Sequence, residues 1–442
     1  MRIFFLLLFV SAMVGLHSFF YSPVQVYDII SQTPAEGFSV VYPNIRILIE
    51  PFYAFAYYLL TMERTFYTPA LASWVVWIVF IAFTFCLIKR KNVKQIFCNI
   101  LYSAASFATI IIFAVSLSFS GPKLQKPEKF IAIDIHSHTI VSHDNVGTMN
   151  ESLEAHLKAG FDVFFNTEHN HTLGLLNFPK NDLCKIVYPG MQIATRTNGS
   201  SISVLLLSAK EFNGKDFENL YLPELIQKAH ENKMLVIMPH WWKWRLNSLE
   251  NLKNFGIDGF EIYNCGYRNI SMKERASIID FCKTNNLMMF GVTDWHGWGF
   301  MTDVWTVFEG SINQNIVEQL DKKPDIRVLL HRRDQSHSWI RFVFEPFSAF
   351  YYYLKSTSIK YIVSFMIWGL VLFFFFINFF KKIKSNVALV LAVLFANYAL
   401  YFYTIARHYS STNSIVFRDV IPTLLGFCVI WTVLWRLQKN EK

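Results

Sequence analysis

Six near-continuous apolar segments restrict what this chain can fold into. Each is close to the roughly 20 residues that an α-helix needs to cross a bilayer. The chain has 442 residues, is 53% hydrophobic and contains 44 Phe, which is too apolar for an ordinary soluble protein. We therefore expect membrane regions at 1–120 and 341–442, with a more polar domain at 121–340 between them. The expected spans cover about residues 3–21, 70–88, 96–119, 361–380, 386–406 and 418–435.

The two membrane regions share an internal repeat. Residues 46–59 read RILIEPFYAFAYYL, and residues 341–354 read RFVFEPFSAFYYYL. A Glu-Pro pair near the start of each copy, followed by aromatic residues, favours two helices in the membrane interface, at 46–62 and 341–354. The alternative is a pair of intramembrane carboxylates, Glu50 and Glu345, that face each other.

Basic residues beside the apolar segments predict the orientation of the chain. Arg2, the turns at 89–94 and 381–384, and the tail at 436–442 are expected in the cytoplasm. Six spans satisfy this arrangement only if the Glu-Pro segments do not cross the membrane. The polar domain is then extracytoplasmic, and we expect a multi-pass protein of a bacterial inner membrane. Because the net charge of +9 is concentrated beside the spans, no nucleic-acid partner is expected.

The polar middle alternates between strand and helix patterns. Thr148-Met-Asn-Glu151 is a capping-box sequence that opens a helix through Lys158, and Gly160 ends it. Two amphipathic helices are expected at 222–232 and 272–285. Repeated β–α units predict an α/β domain with a parallel sheet or barrel. The strand-like runs are 130–135, 162–167, 186–193, 202–208, 234–239, 258–263 and 287–293.

Side chains able to bind metals follow nearly every predicted strand. In a β/α barrel the carboxyl ends of the strands converge on one face, so these groups are expected to meet there. His-x-His on a strand places both side chains on one face, about 7 Å apart at the backbone. Imidazoles with a few carboxylates suit zinc, manganese or iron and suit calcium poorly. The groups are His136, His138 and His143; Glu168, His169 and His171; Gln192; His240; Glu261 and Asn264; and Asp294 and His296.

These motifs resemble the polymerase-and-histidinol-phosphatase (PHP) domain family over about residues 130–300. The resemblance implies a distorted seven-stranded, TIM-like β/α barrel with a centre of two or three divalent metal ions that hydrolyses phosphate esters. It is carried, in order, by DIHSHT (134–139), TEH (167–169), GMQ (190–192), PH (239–240), DGFEIYN (258–264) and DWH (294–296).

The resemblance also implies roles for individual residues. His143 stands where the family often has Asp in a Ser-Asp-Gly turn, and Gln192 stands where it usually has a metal-bridging Glu. Glu168 replaces the Asp of Thr-Asp-His, and Pro239 precedes His240 instead of following it. An amide is a poorer ligand than a carboxylate, so Gln192 is the departure that matters most. The expected metal ligands are His136, His138, His143, His169, Gln192, His240, Asp294 and His296.

Catalysis of ester hydrolysis also needs a proton donor and substrate contacts. Glu168, His171 or a water at the metals could protonate the leaving group. The loop Trp241–Arg245 (WWKWR) directly follows His240. It is either an aromatic cover over the barrel mouth or a place where Lys243 and Arg245 hold phosphate while the tryptophans meet lipid or substrate rings. Asn264 is the third expected substrate contact.

The sequence therefore predicts a membrane-embedded, metal-dependent phosphoesterase that acts at the extracytoplasmic surface. Its phosphate ester is either lipid-linked, which the Glu-Pro segments and the loop at 241–245 favour, or soluble, with the spans serving only as an anchor. The alternative is a membrane sensor or transport-coupled protein that binds metal or ligand without turnover, and Gln192 favours it. The three cysteines of the middle domain, Cys184, Cys265 and Cys282, allow one disulfide at most.

Overall fold

The structure is a computed structural model. The chain divides into two compact units, one of residues 1–23, 44–119 and 335–442 and one of residues 24–43 and 120–334. We name them after what the sequence predicts for them, the membrane unit and the catalytic unit. The catalytic unit thus contains nearly all of the expected 121–340 domain together with residues 24–43. The structure describes residues 17–18, 21, 25–60, 67–93, 95–96, 121–145, 147–173, 186–197, 200–244, 248–266, 270–297, 301, 303–331 and 343–382.

Thirteen strands and ten α-helices lie in the described residues. The strands are β1 Tyr27–Asp28, β2 Thr33–Pro34, β3 Ser39–Val41, β4 Lys123–Gln125, β5 Phe130–Ser137, β6 Val163–Asn166, β7 Val187–Thr197, β8 Ser200–Leu207, β9 Leu235–Met238, β10 Gly259–Asn264, β11 Met288–Val292, β12 Val304–Glu309 and β13 Arg327–Leu330. The helices are α1 Arg46–Leu60, α2 Tyr67–Ile88, α3 Met149–Ala159, α4 Leu222–Glu231, α5 Trp241–Trp244, α6 Leu249–Phe255, α7 Met272–Asn285, α8 Ile316–Asp321, α9 Glu345–Ser356 and α10 Ile359–Lys382.

Local sequence signals explain the helix boundaries of the catalytic unit. The predicted capping box opens α3, where the Thr148 side chain accepts from the Glu151 backbone N–H and Glu151 accepts from Thr148. Gly160 ends this helix in a left-handed conformation at φ +92°, which glycine adopts without steric cost. Ser271 and Glu274 form a second capping box at α7. These helix predictions are confirmed because capping depends on neighbours a few residues apart.

Eleven strands form one mixed sheet, with the order β11-β10-β9-β8-β7-β6-β5-β12-β13-β1-β2. The strands β5, β6 and β7 are parallel, as are β9, β10 and β11. The parallel arrangement that the β–α repeats predict holds for these strands but not for β8, which pairs antiparallel with both β7 and β9. Asn198-Gly199, the two residues between β7 and β8, is the sequence signal that predicts such a hairpin.

The predicted closed barrel is only partly observed. Seven strands, β5 to β11, follow one another around the sheet, and two backbone hydrogen bonds join the chain after β11 to the end of β5. The His138 N–H donates to the Trp295 carbonyl (3.1 Å), and the Asp294 N–H donates to the His136 carbonyl (2.9 Å). Along the start of β5, at residues 130–133, the pairing partner is instead β12. Since β12 takes those backbone groups, closure is limited to the carboxyl end.

The core of the catalytic unit lies between this sheet and its helices. Ile131, Ile133 and Ile135 of β5 and Phe165 of β6 are fully buried in it. Residues 24–43 complete the unit, because β1 pairs with β13 and β3 pairs with β4. The strand that carries the first two histidines is therefore buried on both faces, which holds its carboxyl end rigidly.

Of the residues that the structure describes, one segment, Pro69–Ile88 within α2, is long and apolar enough to cross a membrane. One such helix is weak support for a membrane protein, because the core helix of a soluble protein meets the same criterion. In α2, however, large apolar side chains such as Val76, Phe80 and Ile81 are exposed. The predicted span 361–380 falls within α10. The spans at 3–21, 96–119, 386–406 and 418–435 lie wholly or almost wholly outside the described residues.

Candidate metal centre

The predicted ligands lie at the carboxyl ends of strands that run in one direction. His136 is in β5 and His138 follows it, while His169 comes three residues after β6. Gln192 lies within the long strand β7, at the level of His169, with which it forms a parallel bridge. His240 follows β9, and Asp294 and His296 follow β11. Because β8 runs the other way, it contributes no ligand.

Three donor atoms form a first group at coordination distances. His136 Nε2 lies 3.1 Å from His138 Nε2 and 3.2 Å from Asp294 Oδ1, and His138 Nε2 lies 3.4 Å from the same oxygen. Four ligands in a tetrahedron around a zinc-sized ion, at bonds of about 2.0–2.2 Å, lie about 3.3–3.6 Å from one another. Gln192 Oε1 is a fourth atom, 3.1 Å from His136 Nε2. This group therefore matches one face of a coordination shell.

A second group lies beside the first and shares His138. The donor atoms of His138, His169 and His296 lie within 4.8 Å of one another. Asp144 joins them, with Oδ1 3.4 Å from His169 Nε2 and Oδ2 3.2 Å from His296 Nε2. Within the described residues neither Asp144 Oδ1 nor His169 Nε2 has a hydrogen-bond partner, although both atoms are buried. Two buried, converging donor atoms without partners are what a cation between them would satisfy.

Asp144 was missed by the sequence analysis, which placed the family's acidic position at His143. His143 is exposed, and it groups with Asp144 and His169 at the edge of the second group. Asp144 is the residue that reaches both His169 and His296. The two residues are adjacent in the chain, so only their side-chain directions distinguish them.

Two of the predicted ligands have strained backbones. His240 has φ +28° and Asp294 has φ +48°, in the left-handed region that residues other than glycine rarely adopt. Each such residue costs on the order of 1–3 kcal/mol and persists only where its surroundings hold it. Strain of this kind concentrates at functional sites. The His240 ring lies 5.9 Å, centroid to centroid, from that of His136.

Glu261 and Asn264, at the end of β10, support the first group from behind. Glu261 Oε1 accepts from His136 Nδ1 (2.6 Å), and Oε2 accepts from the His240 N–H (2.8 Å) and Asn264 Nδ2 (3.0 Å). Asn264 also donates to Asp294 Oδ2 (3.3 Å). The sequence analysis grouped Glu261 with the side chains able to bind metals but did not expect it as a ligand. Asn264 is fully buried among these groups, and its predicted contact with substrate stays a prediction.

Glu168 is fully buried beneath the loop that carries His143 and Asp144. Its carboxylate accepts from the Thr139 backbone N–H (3.1 Å) and from the hydroxyls of Thr139 and Ser142. Ser142 in turn accepts from the His169 N–H (3.1 Å). These bonds give Glu168 a role in holding the loop against β6. Its predicted role as a proton donor stays a prediction.

Burial and neighbouring charges shift the pKa values of the carboxylates in opposite ways. Burial raises the pKa of Asp294, but the imidazoles of His136 and His296 outweigh it and hold the pKa well below its usual range. Asp144 behaves likewise, because the nearby imidazoles of His169 and His296 outweigh the effect of burial and hold its pKa below the usual range. For Glu261 burial prevails and the pKa is raised. Asp144 and Asp294 are therefore ionised, as metal ligands must be.

The pKa values of the buried histidines are also shifted in opposite directions. Burial lowers the pKa of His136, but the carboxylates of Asp294 and Glu261 outweigh it and raise the pKa to about 9. Burial holds the pKa of His138 well below its usual value, so this imidazole is neutral. For His296, Asp294 and Asp144 outweigh burial and raise the pKa. A cation bound at the first group would take the place of the proton on His136.

The remaining predicted residues lie outside these two groups. His171 is two residues beyond His169, and its buried Nδ1 makes no hydrogen bond within the described part of the chain. Lys243 lies in the short helix α5, whereas Arg245 lies outside the described residues. Trp242 is 3% exposed and belongs to the hydrophobic core, so it does not meet lipid or substrate as one interpretation expected. Cys282 is a buried free thiol, Cys265 is partly buried, and Cys184 is outside the described residues.

The donor set indicates which ions fit. Imidazole nitrogens outnumber carboxylate oxygens, which suits zinc, manganese or iron and disfavours ions that bind only oxygen. Glu261 behind His136 supplies the carboxylate that commonly orients a metal-binding histidine. The residues present therefore fit divalent transition metals.

A scan against protein-family models and a search of curated proteins found no match. Among solved structures, the chain is similar to a protein from Bifidobacterium adolescentis assigned as a metal-dependent phosphoesterase (16% identity, 39% of this chain and 90% of that chain, TM-score 0.30). It is also similar to a two-domain protein from Bacteroides vulgatus with a predicted PHP-like metal-dependent phosphoesterase domain (18% identity, 50% of this chain and 72% of that chain, TM-score 0.33). A third similar structure is an amidohydrolase from Chromobacterium violaceum with bound sulfate and no metal (10% identity, 46% of this chain and 98% of that chain, TM-score 0.34). At these TM-scores, the function has to follow from the donor geometry.

Proposed function

We propose that the protein is a metal-dependent phosphoesterase that uses zinc, manganese or iron. The observation that supports it most directly is the set of distances of 3.1–3.4 Å among His136 Nε2, His138 Nε2 and Asp294 Oδ1. Three buried donors at these spacings repel one another unless a proton or a cation lies between them. The second group beside them, which shares His138, supports a centre with at least two ions.

The charge of the donor groups favours an anionic substrate. The ionised carboxylates within the two groups are Asp144 and Asp294, whereas Gln192 is neutral. Two divalent ions would bring four positive charges against these two negative charges. The surplus positive charge matches a phosphate ester better than a neutral amide.

Each side chain has a task in such a site. A pair of divalent ions, when bound, neutralises charge on a phosphoryl group and activates a water. Glu261 holds His136 so that Nε2 faces the first group, and Asn264 holds both Glu261 and Asp294. His171, with its unpartnered Nδ1 near the second group in the chain, is the side chain that we propose as proton donor to the leaving group.

We further propose that this chemistry takes place outside the cytoplasmic membrane. Strand pairing supports the topology, because β1 and β3 (residues 27–41) pair with β13 and β4 (residues 123–330). Both segments must lie on the same side of any membrane, so the chain between them crosses an even number of times. If α2 is one crossing, the apolar segment 96–119 is the return. The Glu-Pro segment at 46–62 then does not cross, as the positive charges predict.

The proposed substrate is lipid-linked, with its phosphate at the membrane surface. A basic and aromatic stretch, residues 241–245, directly follows His240, and aromatic Glu-Pro segments flank the catalytic unit in sequence on both sides. Tyr and Trp favour the headgroup level, and Lys243 and Arg245 could pair with phosphate there. The test compares the intact protein on phospholipid-like and soluble phosphate esters. Equal rates on both classes would contradict a lipid substrate.

The phosphoesterase itself is tested with full-length protein in detergent. Metal content and hydrolysis of p-nitrophenyl phosphate and its bis-ester are measured for the unsubstituted chain, His136→Ala and Asp294→Ala. We expect the unsubstituted chain to bind metal and to hydrolyse an ester, and we expect each of the two variants to lose metal and activity. His230→Ala, which removes a partly exposed histidine paired with Asp258, is the matched control. Near-normal turnover in both ligand variants would contradict the proposed site.

Gln192 supports a second candidate function, a membrane sensor or transport-coupled protein that binds metal or ligand without turnover. An amide in place of a bridging carboxylate binds cations less strongly. The same experiment separates the two functions. Metal that is bound stoichiometrically and depends on His136, with no turnover of any phosphate ester, would favour the sensor.

A further inference from the structure

The two Glu-Pro repeats correspond residue by residue. Glu50 and Glu345 are 295 positions apart, and so are Tyr58 and Tyr353. The first repeat contributes α1 and α2 to the membrane unit, and the second contributes α9 and α10. The correspondence therefore allows the contacts of one repeat to be compared with those of the other.

The glutamate of each repeat is bound by the tyrosine of the other. Tyr58 donates to Glu345 Oε1 (2.7 Å), and Tyr353 donates to Glu50 Oε1 (2.9 Å). Glu50 is fully buried and Glu345 is 3% exposed. Each repeat thus supplies a tyrosine to the glutamate of the other, so the same kind of hydrogen bond occurs twice.

A second contact is exchanged in the same way. Both repeats carry a Ser-x-x-x-Trp sequence, at 73–77 in α2 and at 364–368 in α10. Trp77 Nε1 donates to the Val343 carbonyl (2.8 Å), and Trp368 Nε1 donates to the Leu48 carbonyl. Val343 and Leu48 are again 295 positions apart. Ser73 and Ser364 donate to carbonyls of the same two short segments.

Pro51 explains why one of these carbonyls, that of Ile47, accepts a bond from outside the helix. Proline has no N–H, and its ring clashes with the carbonyl four residues earlier. Pro51 therefore leaves the Ile47 carbonyl without its helical donor, and α1 has a kink at Ile49 (φ −130°, ψ 24°). Ser364 of the other repeat donates to that carbonyl.

We propose that the two repeats form a pseudo-two-fold clasp, in which the binding partner of each repeat is the other copy of the same motif. The clasp consists of the Tyr58–Glu345 and Tyr353–Glu50 bonds together with the Trp77 and Trp368 bonds. It joins the segment that precedes the insertion of residues 120–334 to the segment that follows it. The two halves of the chain therefore stay associated without a covalent link. This proposal is independent of the phosphoesterase chemistry.

The experiment cuts the full-length chain between the two units. A protease site is inserted after Gln335, an affinity tag follows Lys442, and the protein is cleaved in detergent. We expect fragment 1–335 to remain with the tagged fragment. Tyr58→Phe and Tyr353→Phe each remove one hydrogen bond from a buried carboxylate, so each should speed release by about tenfold, and the pair by more. In Tyr353→Phe, Glu50 keeps its ion pair with Arg46 (2.6 Å).

Ser356→Ala is the matched control, because its hydroxyl bonds only locally to the Tyr352 carbonyl in the same helix. Trp77→Phe with Trp368→Phe tests the same clasp through different donors if the tyrosine pair does not fold. Separation of the unsubstituted fragments after cleavage would overturn the proposal. So would undiminished association in both double variants.

Discussion

Glu261 holds His136 by a 2.6 Å hydrogen bond between Oε1 and Nδ1, and both side chains are fully buried. The bond fixes the tautomer of the imidazole, since a carboxylate accepts the Nδ1 proton and leaves Nε2 to face His138, Gln192 and Asp294. Glu261, which is not among the ligands expected from the sequence, thus determines which nitrogen of His136 faces the other donor atoms.

Glu261→Gln is expected to weaken metal binding by about 10–100-fold, because the partner that orients His136 is lost. A glutamine oxygen can still accept from His136, but its amide NH₂ then faces the N–H groups of His240 and Asn264. Chelator competition on full-length protein measures the affinity. Glu250→Gln, on a surface carboxylate, is the control. An unchanged affinity with normal thermal stability would contradict the role of Glu261.

Gln192→Glu is expected to tighten metal binding on the order of tenfold, because it places a carboxylate 3.1 Å from His136 Nε2, where an amide oxygen now lies. The metal-to-protein ratio and the dissociation constant should be measured together. Weaker binding, or no change in either quantity, would show that Gln192 does not face the ions.

The pKa of His136 predicts how metal binding depends on pH. In the folded, metal-free protein this pKa is raised from 6.5 to about 9. The imidazolium therefore contributes stability that is fully present below pH 6.5 and is lost as the pH rises through about 9. A cation competes with that proton, so the stabilisation by added metal should grow from pH 6.5 to about 9. Thermal unfolding with metal and with chelator across this window measures it. A metal effect that declines over the window would contradict the assignment.

Gly291→Ala should destabilise the catalytic unit by about 1–3 kcal/mol through overpacking. A Cβ at this position in β11 would lie 2.4 Å from side-chain carbons of both Val304 and Val328. Gly369→Ala in α10, where a Cβ meets nothing within 4 Å, is the control. Thermal melts of the two variants should differ. Equal melting temperatures would mean that β11 does not pack against β12 and β13 as described.

The topology is tested by reporter fusions. A reporter after Gln335 should lie outside the cytoplasm, whereas reporters after Lys94 and Lys442 should lie inside, because basic turns stay cytoplasmic. Alkaline phosphatase and green fluorescent protein fusions distinguish the two sides. A cytoplasmic Gln335 would reverse the localisation and redirect the search towards cytoplasmic phosphate esters.

The sequence by itself determined the helices and strands of the middle domain and most of the candidate metal ligands. Helix α7 spans Met272–Asn285, as its amphipathic pattern and its Ser271–Glu274 capping sequence predict, and α3 ends at the predicted glycine. These features depend on residues within one or two helical turns, so the pattern contains them. The strands are also local, because each can be recognised from its own run of apolar residues, and the histidines are found directly after those runs.

Only the tertiary structure decided which distant groups meet. The pairing of β12 with β5, the choice of Asp144 over His143, and the bond from Glu261 to His136 all depend on register and side-chain direction. So do the two bonds in which the tyrosine of one repeat donates to the glutamate of the other. Register and direction are set by packing between residues more than one hundred positions apart. No local pattern contains that information, because burial of the whole core, rather than any one segment, fixes it.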